Sequence, residues 1–159
     1  MMASNGSLEH IWTAGFNYLH IWTSTVWPLL ILMLFSKVKF LKKLAILSIP
    51  AAIFSIIEPV MFGLPIVMNF SLLIPFVLAP IANAVISYTA MASGLVATTT
   101  GIAVSWTMPP IISGFLTTGG HISGSILQIV LILVDIAIYW FFYQGVEKKN
   151  LELEAAEIN

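Results

Sequence analysis

From Leu44 to Val146 the chain is apolar almost without interruption, and only Glu58 and Asp135 among its Asp, Glu, Lys and Arg residues fall inside that stretch. Three segments, from about Leu19 to Ser36, Phe70 to Met91 and Ile122 to Tyr143, are long and apolar enough to cross the hydrocarbon core as helices. Such a crossing spans roughly 30 Å and takes about 20 residues. Pro28 in the first and Pro75 and Pro80 in the second predict kinks, which membrane helices tolerate where neighbours satisfy the freed carbonyls. Trp22 and Trp27, and at the other end Tyr139, Trp140 and Tyr143, are placed as interfacial aromatic anchors.

Two further apolar stretches are interrupted in ways a simple span avoids. Leu44 to Asn69 carries Pro50, Pro59, Gly63 and Pro65, and Val96 to Gly120 carries Trp106, the pair Pro109-Pro110 and four glycines from Gly101 to Gly120. Broken helices and re-entrant hairpins at membrane depth persist only where they pack in protein or line a wet cavity, and in secondary transporters such breaks mark the substrate site. The pattern therefore predicts an all-α integral membrane fold with about three full transmembrane helices and two broken or re-entrant helical hairpins. A lead segment covers residues 1–18, the membrane domain 19–146 and a charged, helix-prone cytoplasmic tail 147–159.

Composition agrees: 59% hydrophobic and 8% charged residues do not describe a soluble globular domain. Lys37, Lys39, Lys42 and Lys43 form one short cluster and Lys148 and Lys149 flank the last apolar segment, so both clusters are read as cytoplasmic, with an even number of crossings between them. The net charge of -1 and the absence of arginine give no footing for nucleic acid. With no cysteine, there is no disulfide, thiolate metal site or cysteine nucleophile. Met1 to Glu9 lacks the basic and apolar regions of a signal peptide, so the first hydrophobic stretch is expected to stay as a span. His10, His20 and His121 lack ligand spacing, and no metal or other cofactor is expected.

Glu58 is the residue with the most to explain. A charge at bilayer depth costs about 2.5 kcal/mol or more, so an acid retained there is a functional-site hypothesis by default. The residue before a proline is pushed out of the helical region, so a helix arriving along residues 51–57 should end near Glu58. Pro59 suits the first position of a new helix, where a missing N–H costs nothing. At this junction the carboxylate lies near the positive end of a half-helix, and its two oxygens can accept from adjacent hydroxyls of a polyol such as a neutral sugar. The alternative is a buried helix-capping acid. Asp135 is read first as an interhelical hydrogen-bonding group and second as a ligand contact; Asn69 and Asn83 are read as pairing across helices. By composition alone Trp106 is an interface anchor, with stacking on a sugar face as the alternative.

The run Phe54-Ser-Ile-Ile-Glu-Pro-Val-Met-Phe-Gly-Leu-Pro-Ile-Val-Met-Asn69 resembles the Asn-Glu-Pro-(Val/Ile)-hydrophobic-Phe-Gly-Leu-Pro signature of the membrane-embedded IIC permease of bacterial phosphotransferase systems, in the lactose, cellobiose and diacetylchitobiose family. Leu73 to Asn83, Ser105-Trp-Thr-Met-Pro-Pro to Gly120, and Leu127-Gln to Tyr139 resemble it too, so that the likeness runs over about residues 20–148 in order. It implies a multi-pass protein of the bacterial cytoplasmic membrane that binds a β-linked disaccharide such as cellobiose or lactose and presents it to a cytoplasmic IIB partner, whose phosphocysteine phosphorylates the sugar on import. The chain itself then holds no catalytic nucleophile. In that family the glutamate matched by Glu58 contacts sugar hydroxyls at a hairpin tip, and the tryptophan matched by Trp106 packs on the sugar. Thr107 joins them as a substrate-binding candidate, with Asn69 and Asp135 behind.

There are two departures. The family's Asn before the glutamate is Ile57 here, which removes an amide able to bind sugar or cap the hairpin. The likeness also covers only the carboxy-terminal portion of the family's proteins, without the amino-terminal helices that form most of their dimer interface and without the hairpin carrying a Gly-Ile-His-Gly-type histidine. The chain is therefore expected to be a truncated permease or one half of a split one, with the amino-terminal half, a full permease or a second copy in a homodimer as partner. The competing reading is a non-transporting remnant that acts only as a membrane interaction protein. A third, an ion-coupled transporter using Glu58 or Asp135 as proton carrier, is least favoured by the Trp-Thr-x-Pro-Pro match.

Overall fold

A computed structural model describes residues 16–17, 26–64 and 66–157. His10, His20, Trp22, Pro65 and the beginning of the first expected span lie outside the described residues. The regular elements are helices: α1 Val26–Leu34, α2 Lys39–Ile53, α3 Glu58–Gly63, a 3-10 turn at Ile66–Met68, α4 Phe70–Ala92, α5 Ile112–Thr117 and α6 Ile122–Glu157. The long α6 is the spine, packing on α4, α1 and α5, while α2 packs on α1 and α3.

The main core joins Leu29, Leu30 and Met33 of α1, Leu41 and Ala45 of α2, Val60 of α3, Leu72 and Ala79 of α4, and Tyr139, Tyr143 and Val146 of α6. Beyond this seam the helices expose large apolar side chains, among them Leu47, Val85, Leu133 and Phe141. Helices α4 and α6 are long and apolar enough to cross a membrane, yet only 33% and 28% of their apolar spans are buried. A soluble core helix would be mostly buried, so these faces are built for lipid or for another protein surface.

At the first break α2 ends at Ile53, with Phe54 as C-cap and Ser55 left-handed at φ 58. Helix α3 opens at Glu58 with Pro59 in its first turn, where the missing N–H costs nothing, but the arriving helix, expected to run to about residue 57, ends at Ile53 before the left-handed Ser55. The second interrupted stretch differs from expectation. It is an irregular segment of bends and turns followed by the single short helix α5, with no helix before the prolines. Val96, Thr98, Thr99, Thr100, Ile102 and Val104 are β-branched and disfavour helix, and Met108 precedes Pro109. Pro75 and Pro80 both lie within α4, which is continuous around them.

Helix α6 continues unbroken through Val146 and Glu147 into the expected tail. Its Glu147 Oε1 accepts from Ser36 Oγ at 2.7 Å and from the Lys37 N–H at 2.8 Å, and Glu154 Oε2 accepts from the Lys39 N–H at 3.3 Å. Lys39, Lys42 and Lys43 are the wrong charge for the positive end of α2, and Val38 offers no side-chain cap. Glu154 supplies the acceptor that the N-cap residue does not, and Glu147 holds the turn before it.

Candidate functional site

The two non-helical breaks meet. The Ser55 hydroxyl, just before α3, donates to the Met108 carbonyl at 3.1 Å. Glu58 and the Trp106 turn are thereby held on neighbouring pieces of backbone, although they are far apart in sequence. Glu58 is exposed at the start of α3, in the first turn where negative charge is favoured by the helix dipole. Trp106 is 59% exposed, and Thr107 is half-buried beside it. An acid with two acceptor oxygens, a hydroxyl and an open indole face are the groups that recognise a carbohydrate.

The Trp106 turn is closed at both ends. The Met108 N–H donates to the Ser105 carbonyl at 3.1 Å, placing Trp106 and Thr107 in the two central positions. The hydroxyls of Ser105 and Thr107 are 2.8 Å apart, and the Thr107 N–H donates to Ser105 Oγ at 3.3 Å. Pro109 and Pro110 follow with fixed φ. Ile111 comes next at φ 75, left-handed backbone that costs a β-branched residue about 1–3 kcal/mol and persists only where its surroundings hold it. Three groups hold it: its N–H donates to Gln128 Oε1, its carbonyl accepts from Ser125 Oγ at 2.8 Å, and the Ser113 N–H closes on the Pro109 carbonyl at 3.0 Å.

Gln128, fully buried on α6, is also the cap of α5. Its Oε1 accepts from the Gly114 N–H at 3.0 Å, and its Nε2 donates to Ser113 Oγ at 2.9 Å. The amide reaches that far because the helices touch backbone to backbone: a Cβ added at Gly124 would collide with the Gly114 carbonyl, and one at Gly114 would lie 2.5 Å from the Gly124 carbonyl.

The remaining candidates are placed elsewhere. Asn69, read as pairing across helices, is instead the N-cap of α4, its Oδ1 accepting from the Ser71 N–H at 3.1 Å. Asp135 and Asn83 are both fully buried between α6 and α4, with Asn83 Nδ2 donating to Asp135 Oδ2 at 2.8 Å, so Asp135 makes the interhelical contact read for it. Ile57 packs against the apolar core and lines a small apolar cavity with Leu29, Val60, Ile66, Phe76 and Tyr139. Ser55, Ser113 and Gln128 are the residues that sequence reading passed over. Gln128 had one signal, an uncharged amide in an otherwise apolar run; Ser55 and Ser113 had none, since serine is common in loops and helix starts alike.

No protein-family model matches the chain. It is 47% identical over 116 residues to the lichenan permease IIC component of Bacillus subtilis, covering 73% of this chain and 26% of that protein. It is 45% identical over 157 residues to the phosphotransferase-system cellobiose-specific EIIC component of Geobacillus stearothermophilus, covering 96% of this chain and 35% of that one. Among solved structures it is similar to the transporter ChbC, the IIC component from the N,N'-diacetylchitobiose-specific phosphotransferase system. The TM-score is 0.87 at 44% identity, over 90% of this chain and 34% of that chain. The chain spans about a third of the length of the curated relatives it matches.

Proposed function

We propose that this chain, a partial homologue of the IIC components of sugar phosphotransferase systems, carries the Glu58 and Trp106 part of a disaccharide site in a IIC permease. The observation that supports the reading is the Ser55–Met108 hydrogen bond, which joins the backbone just before Glu58 to the backbone just after Trp106. Lichenan and cellobiose name the relatives, so a β-linked glucoside is the substrate class to try first. Glu58 orients sugar hydroxyls, Trp106 packs on an apolar sugar face and Thr107 adds a hydroxyl contact. Phosphorylation falls to a IIB partner; a lactose-specific relative is an EIICB component.

Glu58 and Trp106 stand on an open surface, so the opposite wall of the site is assigned to a permease amino-terminal half, separate or within a full permease. The exposed apolar faces of α4 and α6 are the surfaces available to that half, to a second copy and to lipid. With the first segment as a third crossing helix, the chain is a multi-pass protein of the cytoplasmic membrane. The second reading, a non-transporting remnant, draws on Ile57, where an apolar side chain stands in place of the family's amide.

The test is cellobiose and lactose binding to the purified chain, alone and co-expressed with an amino-terminal half of a related IIC component. Wild type is compared with Glu58→Gln and Trp106→Ala. Each substitution is expected to weaken binding by about tenfold, the loss of one charge-assisted hydrogen bond or one stacking contact. Binding that survives both rejects the site, and absence of binding in every preparation favours the remnant.

A further inference from the structure

We infer that Gln128 is a positioning residue for the Trp106 turn: its buried amide, one helix away, sets the direction from which the indole meets the sugar. This rests on the reading of Trp106 as a sugar contact. Between the two residues there is little slack. Trp106 sits in a closed turn, Pro109 and Pro110 have no free φ, and the next residue, Ile111, is left-handed. An isoleucine does not keep that conformation by preference. It is kept by Gln128 Oε1 on its N–H and Ser125 Oγ on its carbonyl, both groups borne by α6. Gln128 cannot swing away, because the same oxygen takes the Gly114 N–H and its Nε2 is engaged by Ser113 Oγ.

One side chain therefore caps α5 and anchors the exit of the Trp106 turn, while Ser55 anchors the Met108 carbonyl from the Glu58 side. Rotation at Ile111 out of the left-handed region redirects the Pro109-Pro110 segment and, with it, the indole. Sugar binding then depends on a residue that does not touch sugar.

The experiment replaces the five tryptophans of the full chain with 5-fluorotryptophan, follows the fluorine resonances in detergent, and assigns Trp106 by its loss in Trp106→Phe. Gln128→Met, close in size but without the acceptor, is expected to shift or split the Trp106 signal and leave the Trp27 and Trp140 signals in place. Adding Ile111→Gly, which takes a positive φ freely, is expected to restore it. Cellobiose affinity should fall about fivefold in Gln128→Met, the equivalent of one hydrogen bond, and recover in the double variant. If Gln128→Met does not fold, Gln128→Asn and Gln128→Glu decide: the shorter amide must move the Trp106 signal and the carboxylate, which keeps the acceptor, must not. An unmoved Trp106 signal in Gln128→Met, or a glycine at 111 that restores nothing, overturns the inference. A Trp106 signal that follows Gln128 while no sugar perturbs it supports the positioning role and rejects the sugar contact.

Discussion

Ser55 and Met108 are joined by a hydrogen bond of 3.1 Å across 53 positions of sequence, and this bond is what makes one surface of two separate chain breaks. Removing the hydroxyl costs one net hydrogen bond, about 0.5–1.5 kcal/mol. Ser55→Ala is therefore expected to weaken disaccharide binding by up to about tenfold while the thermal midpoint moves by only a few degrees. Titration and thermal unfolding of the same preparation check the split. Equal affinity in both proteins means the two turns do not act together.

Ile57 stands where the resembled family has asparagine, and its side chain faces the core and an apolar cavity. Ile57→Asn is expected to destabilise the chain by about 1–3 kcal/mol, the cost of an amide buried among apolar groups, with no gain in sugar affinity. Denaturant unfolding measures the first and titration the second. Tighter binding would show that the position reaches the ligand.

Asp135 holds Asn83 at 2.8 Å in the buried seam of α4 and α6. Asp135→Ala takes away this partner and is expected to cost about 1–3 kcal/mol, whereas Asp135→Asn, which can still pair with the amide, costs less. Midpoints of thermal unfolding in detergent give the order. A change in sugar specificity at unchanged stability would return Asp135 to the list of ligand contacts.

Gly124 and Gly145 lie on the same helix and predict opposite results. At Gly124 a methyl group meets the Gly114 carbonyl and the Thr118 side chain, so Gly124→Ala should force α5 away and cost about 1–3 kcal/mol. At Gly145 nothing lies within 4 Å, and Gly145→Ala should stabilise by roughly 0.5–1 kcal/mol through helix propensity. Unfolding of both variants checks the contrast.

Glu147 of α6 holds the turn that leads into α2, through Ser36 Oγ and the Lys37 N–H. Glu147→Ala should lose about 0.5–1.5 kcal/mol, as a lost hydrogen bond does, and Glu147→Gln, which keeps an acceptor but not the charge, should lose less. Amide exchange at Lys37 and Val38 localises the effect. Protection unchanged at Lys37 would mean the turn does not need the carboxylate.

The apolar runs, the prolines and the lysine clusters are properties of neighbouring residues, and they alone determined the helical class, the spans of α4 and α6 and the restart of the chain at Glu58 and Pro59. The motif around Trp106 was legible only through its resemblance to the IIC family, since composition alone makes Trp106 an interface anchor. What the one-dimensional pattern did not hold was the pairing of polar groups. Gln128 meets Ile111 over 17 positions, Ser55 meets Met108 over 53 and Ser36 meets Glu147 over 111. A serine or glutamine in isolation satisfies its hydrogen bonds with water or its own backbone, so nothing local marks which of these partners it will take. The packing of α6 against α1 and α5 sets Glu147 against Ser36 and Gln128 against Ile111, and the meeting of two chain breaks sets Ser55 against Met108. The tertiary structure therefore decided that the break before Glu58 is bonded to the turn that carries Trp106, and that an amide on another helix holds Ile111.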